Sequence, residues 1–531
     1  MSVVEVGKLP AVAANAVDKG AEALVASSVS NEMIFAVVGH VGSGTSEVAE
    51  ELSKALKGAE YEVYILKASD VIKTWKFPEG IPDGHGLAGA LEMQDAGDEM
   101  RLKKADNAAV ARDLIGKIRE KRALATGKPL IDDQPVEPDG QRRAYILDSL
   151  RHPEEVKALR ALYQEAFVML GVVCEAEERS RRLMKKYADA GQKKIESFMS
   201  RDADSHIPHG QLVADTFFLS DFFVDNSEPR FNVVGKVDKP NPNWLVLEDL
   251  SRLVDIVAHN KIVRPSLSET AMYHAHGARM RSACLSRQVG AALVDRTGEV
   301  VSTGCNEVPK AGGGVYDGEH GEDYRCAFHN KYCSSVREQN RIIDEIINVF
   351  PELQNGNPED IKSRLRKSPL GGLLEFSRAV HAEMDALLSA SRKGISTVAC
   401  KLFVTTYPCH YCARHLIAAG VDEVQYIEPY PKSLATSLHD DAILSGRTGV
   451  YPSVIVAQHL AGAADNAAQP KVRFSPFTGV SPRLYRRAFM KERSLKDKNT
   501  GDMLLGEAVW GGSMSIRRIS YVELEVKMAN V

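Results

Sequence analysis

Two short motifs in this chain could do chemistry together: His381-Ala382-Glu383 and Pro408-Cys409-His410-Tyr411-Cys412. Cys409 and Cys412 are three positions apart, so on the first turn of a helix they face the same way. Pro408 suits a helix entrance, and the positive end of a helix dipole lowers the pKa of both thiols. Two thiolates and one imidazole make a three-ligand zinc site whose open fourth position belongs to a water. Zinc can lower the pKa of such a water to about 7. Glu383 is two residues from His381 and would not share its face in mid-helix. At a first turn, both can address a metal lying off the helix end, and Glu383 is then the proton carrier. A closed structural zinc knuckle, or a CxxC with no metal, is the plain alternative.

A second motif, Gly39-His-Val-Gly42-Ser-Gly44-Thr45-Ser46, follows the apolar run Ile34–Val38 and precedes a helical pattern. That context suits a phosphate loop, in which backbone N–H groups and a helix N-terminus cradle phosphate oxygens. Gly39, Gly44 and Ser46 fit G-x-x-x-x-G-K-[ST], but Thr45 stands where the lysine belongs. Nucleotide binding without phosphoryl transfer is the expectation, because that lysine neutralises the moving phosphoryl group. Ser46 keeps the hydroxyl that could hold Mg2+. A Gly-rich turn with no ligand, or an active kinase, would be the competing readings. A looser cluster, Cys326, His329 and Cys333 with Cys284 and His320, offers candidate metal ligands at irregular spacing, with buried free thiols as the alternative. Cys174, Cys305 and Cys400 lie in or beside apolar strands and read as core.

The elements that must position these motifs are strands alternating with helices. Strand-like runs at Ile34–Val38, Tyr61–Leu66, Ala144–Leu147, Phe167–Val173 and Phe222–Val224 are separated by polar, helix-favouring stretches, which predicts a three-layer α/β domain with parallel crossovers. After Pro240-Asn-Pro-Asn243 comes an amphipathic helix and then a second series, with strands at Val289–Val294, Val300–Thr303, Ala399–Thr405 and Glu423–Ile427. The expected division is a lead-in over 1–30, a phosphate-loop domain over 31–235, a linker helix over 236–262, a catalytic α/β/α zinc domain over 263–440, and its C-terminal elaboration over 441–531. The 531 residues, 44% hydrophobic and 26% charged, have ample surface to bury and rule out wholesale disorder. A net charge of -4 argues against a long polynucleotide partner. Eight cysteines are too few for a disulfide scaffold, and no signal or membrane-spanning segment is evident, so a cytoplasmic protein with reduced thiols is expected.

The HxE and PCxxC pair, in this order, is the signature of zinc-dependent base deaminases. The segment Ala278–Asp295, then Ser302-Thr-Gly-Cys-Asn306, Pro309 and Glu428-Pro-Tyr-Pro-Lys432, resembles the deoxycytidylate deaminases over roughly 265–440. The resemblance implies hydrolytic deamination of a deoxycytidine nucleotide at C4, with zinc on His381, Cys409 and Cys412, Glu383 as proton shuttle, and Asn306 on sugar and base. Arg281, Lys310 and Lys432 are candidate phosphate ligands on charge grounds. Some of these enzymes hold a second, structural zinc, for which Cys284, Cys326, His329 and Cys333 are the candidates here. Residues 31–230, with Asp148, Arg151, Arg179, Arg182 and Asp221–Asn226, are similar to nucleoside-monophosphate and dephospho-coenzyme A kinases. Fused to a deaminase domain, the whole resembles the bacterial anti-phage dCTP/dCMP deaminases, which deplete deoxycytidine nucleotides during infection. That likeness implies a homo-oligomer, commonly a hexamer, and a regulatory nucleotide: dCTP, dTTP, ATP or GTP. A housekeeping dCMP deaminase supplying dUMP is the alternative within enzymes, and a polynucleotide cytidine editor the alternative of another class.

Overall fold

A computed structural model describes residues 30–78, 86–132, 134–234, 237–319, 321–373, 375–430, 433–447, 470–490, 496–503, 522 and 525–526. The expected lead-in lies outside these residues. Twelve strands carry the argument: β1 Glu32–Val38, β2 Glu62–Lys67, β3 Arg143–Asp148, β4 Phe167–Val173, β5 Phe222–Asp225, β6 Gly290–Val294, β7 Val300–Cys305, β8 Lys401–Thr406, β9 Glu423–Glu428, β10 Ile443–Ser445, β11 Val472–Pro476 and β12 Gly479–Val480. Seven helices matter with them: α1 Thr45–Gly58, α2 Ala176–Lys186, α3 Val246–Val257, α4 Leu267–Arg279, α5 Ala382–Arg392, α6 His410–Ala418 and α7 Pro482–Phe489.

All seven residues of β1 are buried, as are those of β4, so these apolar runs are covered on both faces. The first sheet has the order β12-β5-β4-β1-β3-β2. β1 to β5 are mutually parallel and only β12 runs antiparallel, against β5. From β1 the chain goes to the edge strand β2, returns to β3 beside β1, and then crosses to β4 and β5 on the other side of β1. The order therefore reverses beside the carboxyl end of β1, where the crevice of an open α/β sheet forms. The Gly39–Gly44 turn leaves β1 at that point.

The second sheet has the order β10-β11-β9-β8-β6-β7. β6 and β7 form an antiparallel hairpin, β8 pairs antiparallel with β6, and β8, β9, β11 and β10 run parallel. α5 lies very close to β7: a Cβ at Gly304 would stand 2.2 Å from the Ala382 carbonyl oxygen. Only a glycine permits that approach, and it fixes where α5 begins.

Two features of the organisation bear on the expected division. The helix expected as a linker, α3, instead packs on α1, and its Val246, Leu250, Leu253 and Val254 belong to the main apolar core. The C-terminal segment, expected to elaborate the second domain, also contributes to the first sheet. β10 and β11 extend the second sheet, but β12 extends the first, and Val522 is buried in the core of the first. Glu525 is buried beside Arg122 and Tyr163, with Oε2 accepting from Arg122 Nη1 at 2.5 Å and Oε1 from the Tyr163 hydroxyl at 2.7 Å. A two-residue strand carries no periodicity to read, and its partner lies far back in sequence. Phe477, Val480 and Leu484 continue that core to α4, so one apolar cluster runs through both sheets. Among the described residues, no helix is long and apolar enough to cross a membrane.

Candidate active site

β8 ends at Thr406, and the chain turns through Pro408 into α6, whose N-cap is Cys409. Cys409 Sγ accepts the Cys412 backbone N–H at 3.5 Å, so one thiol caps the helix that carries the other. His381 is the N-cap of α5, and Glu383 lies in its first turn. The two helix starts meet: His381 Nδ1 lies 3.3 Å from Cys409 Sγ and 3.4 Å from Cys412 Sγ. These three ligand atoms lie within 4.8 Å of one another, and among the described residues no other group of three does so. Two soft thiols and an imidazole at this spacing fit zinc.

The electrostatics agree with a cation site. Hydrogen bonding from Cys412, helped by His381, holds the Cys409 thiol down to about 4 despite burial. Cys412 is pushed well above its usual range by the Cys409 hydrogen bond and by burial. Burial alone would lower His381, but the Cys409 hydrogen bond and the Glu383 and Cys409 charges lift it to about 9. The cluster thus shares protons among its three side chains, which a divalent cation held there would displace. Glu383 is 4% exposed, and burial raises its carboxyl to about 7 against the pull of His381. A carboxyl poised there can both take and give a proton near neutral pH.

His381, Glu383 and Cys409 lie in the wall of a cavity of about 440 Å3, together with Asn306, Thr406 and Tyr430. Asn306 is buried; its Oδ1 accepts the Val289 N–H at 2.6 Å and its Nδ2 donates to the Arg287 carbonyl at 2.5 Å. One amide hydrogen and one lone pair remain for a ligand. The basic residues chosen on charge are elsewhere. Arg281 points at Asp385, 3.9 Å away, and Lys310 pairs with Asp317 at 2.9 Å; neither lines the cavity. Lys432 and His320 lie outside the described residues. Instead the wall holds Arg287, 3.6 Å from Glu428, and Arg378, whose Nη1 reaches the Tyr324 carbonyl at 3.4 Å. Sequence reasoning missed both, although Arg287 stands inside the segment that carries the resemblance and Arg378 just ahead of His381. Cys284, Cys326 and Cys333 also line this cavity, with Cys333 Sγ 3.2 Å from Ser286 Oγ. His329 packs its ring on Tyr324 at 4.7 Å, and these four do not form a ligand group.

At the other sheet, Gly42 and Gly44 have φ of 83° and 84°. A Cβ at Gly42 would also lie 2.8 Å from the Arg179 carbonyl, so α2 rides directly on the turn. Gly44 is the N-cap of α1 and no side chain caps that end. Ser46 donates to Asp148 Oδ2 at 2.6 Å, Ser149 to Oδ1 at 2.8 Å, and Thr45 Oγ1 lies 3.1 Å from Ser149 Oγ. Gly39, at the end of β1, closes the turn against Ser43 and Thr45.

The zinc-type cluster, buried carboxyl and open cavity define a metal-dependent hydrolase site on an α/β sheet. Residues 265–428 match the cytidine and deoxycytidylate deaminase zinc-binding region, which places a deaminase-family domain in the C-terminal part and makes the chain a hydrolytic deaminase. The chain is 28% identical to the deoxycytidylate deaminase of Enterobacteria phage T4 over 174 residues, which is 31% of this chain and 80% of the phage protein. It is 26% identical to ComE operon protein 2 of Bacillus subtilis over 167 residues, 32% of this chain and 62% of that protein. Among solved structures it is similar to the dCMP deaminase of cyanophage S-TIM5 in complex with dCMP and dUMP, at 18% identity and a TM-score of 0.22, covering 40% of this chain and 99% of that one.

Proposed function

We propose that the protein hydrolyses deoxycytidine nucleotides, dCMP or dCTP, to the uracil nucleotide and ammonia. The observation that carries this is the buried Glu383 beside the His381, Cys409 and Cys412 cluster on one cavity wall. Those three residues would hold zinc, which supplies activation of a water. Glu383 takes the proton of the attacking water as its oxygen adds at C4, and delivers it to N3. The same carboxyl then moves the remaining hydroxyl proton to the amino group, which leaves as ammonia while C4 becomes a carbonyl. Asn306 orients sugar or base through its free amide hydrogen and lone pair, and Arg287 and Arg378 face the phosphates. A pyrimidine nucleotide fits a pocket of this size, and the net charge of -4 disfavours a long polynucleotide.

The role we assign is depletion of the deoxycytidine nucleotide pool during phage infection, under control of the N-terminal sheet. In this reading the uncapped start of α1 binds a regulatory nucleotide and the Ser46 hydroxyl, which donates to Asp148 at 2.6 Å, would hold its Mg2+. The whole first sheet joined to the deaminase domain through β12 favours a regulated enzyme over a housekeeping dCMP deaminase. By the same likeness the chain works as a homo-oligomer. Purified protein incubated with dCMP, dCTP, CTP and cytosine-containing single-stranded DNA should release ammonia from a deoxynucleotide; release from the DNA alone overturns the substrate class. Infected cells should lose deoxycytidine nucleotides and yield fewer plaques with the wild type than with Glu383→Ala. Equal plaque numbers would remove the defence role and leave the chemistry standing.

A further inference from the structure

Three element ends meet at one carboxylate behind the cavity wall: β9 ends at Glu428, β8 at Thr406 and α4 at Arg279. Glu428 Oε1 accepts from Arg279 Nη1 at 3.2 Å, and its Oε2 accepts the Thr406 hydroxyl at 3.1 Å. The Glu428 backbone carbonyl accepts the Tyr407 N–H at 2.7 Å, which pins it to the end of β8. Arg287 Nη1 lies 3.6 Å from Oε2. Thr406, Tyr407 and Arg287 line the cavity, whereas Glu428 and Arg279 do not. The Glu428 side chain is 13% exposed and that of Arg287 47%. The two shorter contacts fix the carboxylate. The third, at 3.6 Å, is beyond a hydrogen bond, so the carboxylate attracts the Arg287 guanidinium without using up its N–H donors. Arg287 lies between α4 and β6 in chain that is neither helix nor strand, so no regular element orients its side chain. Asn306 holds its carbonyl at 2.5 Å, and Glu428 holds its other end. One carboxylate between two guanidiniums also leaves one positive charge of the three groups unmatched, and Arg287 presents it to the cavity.

We propose that Glu428 is a positioning residue for the substrate's phosphate, aiming the Arg287 guanidinium into the cavity from behind its wall. This rests on the reading of the cavity as a deoxynucleotide site. A guanidinium ordered before the ligand arrives gives up less rotamer freedom on binding, and its fork keeps N–H groups for phosphate oxygens. Affinity for the phosphate is therefore set in part by a side chain that touches no part of the substrate. Because Asn306 holds the backbone of the same arginine, the group that orients sugar or base and the group that takes the phosphate are fixed relative to each other.

The test uses full-length, zinc-loaded protein. Ammonia release from dCMP and dCTP gives kcat and KM, and direct binding is followed for dUMP and for deoxyuridine, which lacks the phosphate. Glu428→Gln should raise the nucleotide KM and the Kd for dUMP about 10-fold with kcat unchanged, as when binding is lost equally from ground and transition states. Its affinity for deoxyuridine should match wild type. Arg287→Ala should behave alike, and the double variant should bind no more weakly than Arg287→Ala alone, because Glu428 acts through that side chain. Lys310→Gln, which breaks an ion pair away from the cavity, should behave as wild type. Zinc content reports that each variant is folded. If Glu428→Gln is not, Glu428→Asp takes its place, with the carboxylate drawn back by one methylene and a smaller rise in KM expected. Wild type that neither deaminates dCMP or dCTP nor binds dUMP overturns the deoxynucleotide reading and this role with it. Active wild type with an unchanged or lower KM in the Glu428 variant overturns the role alone. A parallel fall in kcat or in deoxyuridine affinity makes Glu428 a structural residue and likewise overturns the role alone, as does a double variant whose effects add.

Discussion

Glu383 reaches the cavity without being one of the three metal ligands, and that separates two kinds of loss. Glu383→Ala should keep stoichiometric zinc and lose turnover by at least on the order of 10²–10⁴-fold, the range for a positioned acid–base group. Metal analysis and an ammonia assay on the same sample check it, and loss of the zinc would make Glu383 a ligand. Cys409→Ala or Cys412→Ala should lose zinc and activity together and unfold at lower temperature, because a metal held by His381, Cys409 and Cys412 would tie together the starts of α5 and α6. A cysteine variant with full zinc occupancy would mean the ligand set is wrong. These residues are legible because their spacing is dictated by local helix geometry. The basic residues are not, since a charge in a sequence carries no direction: Arg281 and Lys310 turn to Asp385 and Asp317, while Arg287 and Arg378 face the cavity.

Among the elements, the strands of both sheets are readable as apolar runs, and α5 and α6 from the motifs at their starts. What the sequence does not announce is how near α5 lies to β7. At Gly304 an added Cβ would meet the Ala382 carbonyl oxygen at 2.2 Å and the Ala386 nitrogen at 2.4 Å, both backbone atoms. Gly304→Ala must push α5 away, carrying His381 and Glu383 with it. We expect a cost of about 1–3 kcal/mol in stability, as for overpacking elsewhere, and a weaker grip on zinc. Denaturation with and without a chelator checks both, and wild-type zinc affinity would show that α5 can shift without disturbing its first turn. The cysteines at 284, 326 and 333 mark the opposite case. Their types suggest a metal, yet two separate stretches bring them to one cavity wall without gathering them.

At the scale of the molecule, Arg122 is fully buried and held by Glu32 of β1 at 2.7 Å and by Glu525 at 2.5 Å. Removing one partner of such a set leaves an unmatched charge, so Glu525→Ala should lower stability by about 3–5 kcal/mol. Chemical denaturation followed by tryptophan fluorescence would read it, and a change below about 1 kcal/mol would show the charge to be matched by Glu32 alone. No local pattern could reveal this contact, because its partners are separated by most of the chain. It also orders events in time. A nascent chain leaves the ribosome from its N-terminus, and domains commonly fold as they emerge. Here the sheet built around β1 lacks β12 and the Glu525 carboxylate until those late residues are synthesised. The first half must therefore wait for the second, and a polypeptide truncated by premature termination would be left with an unfinished core for proteases to find.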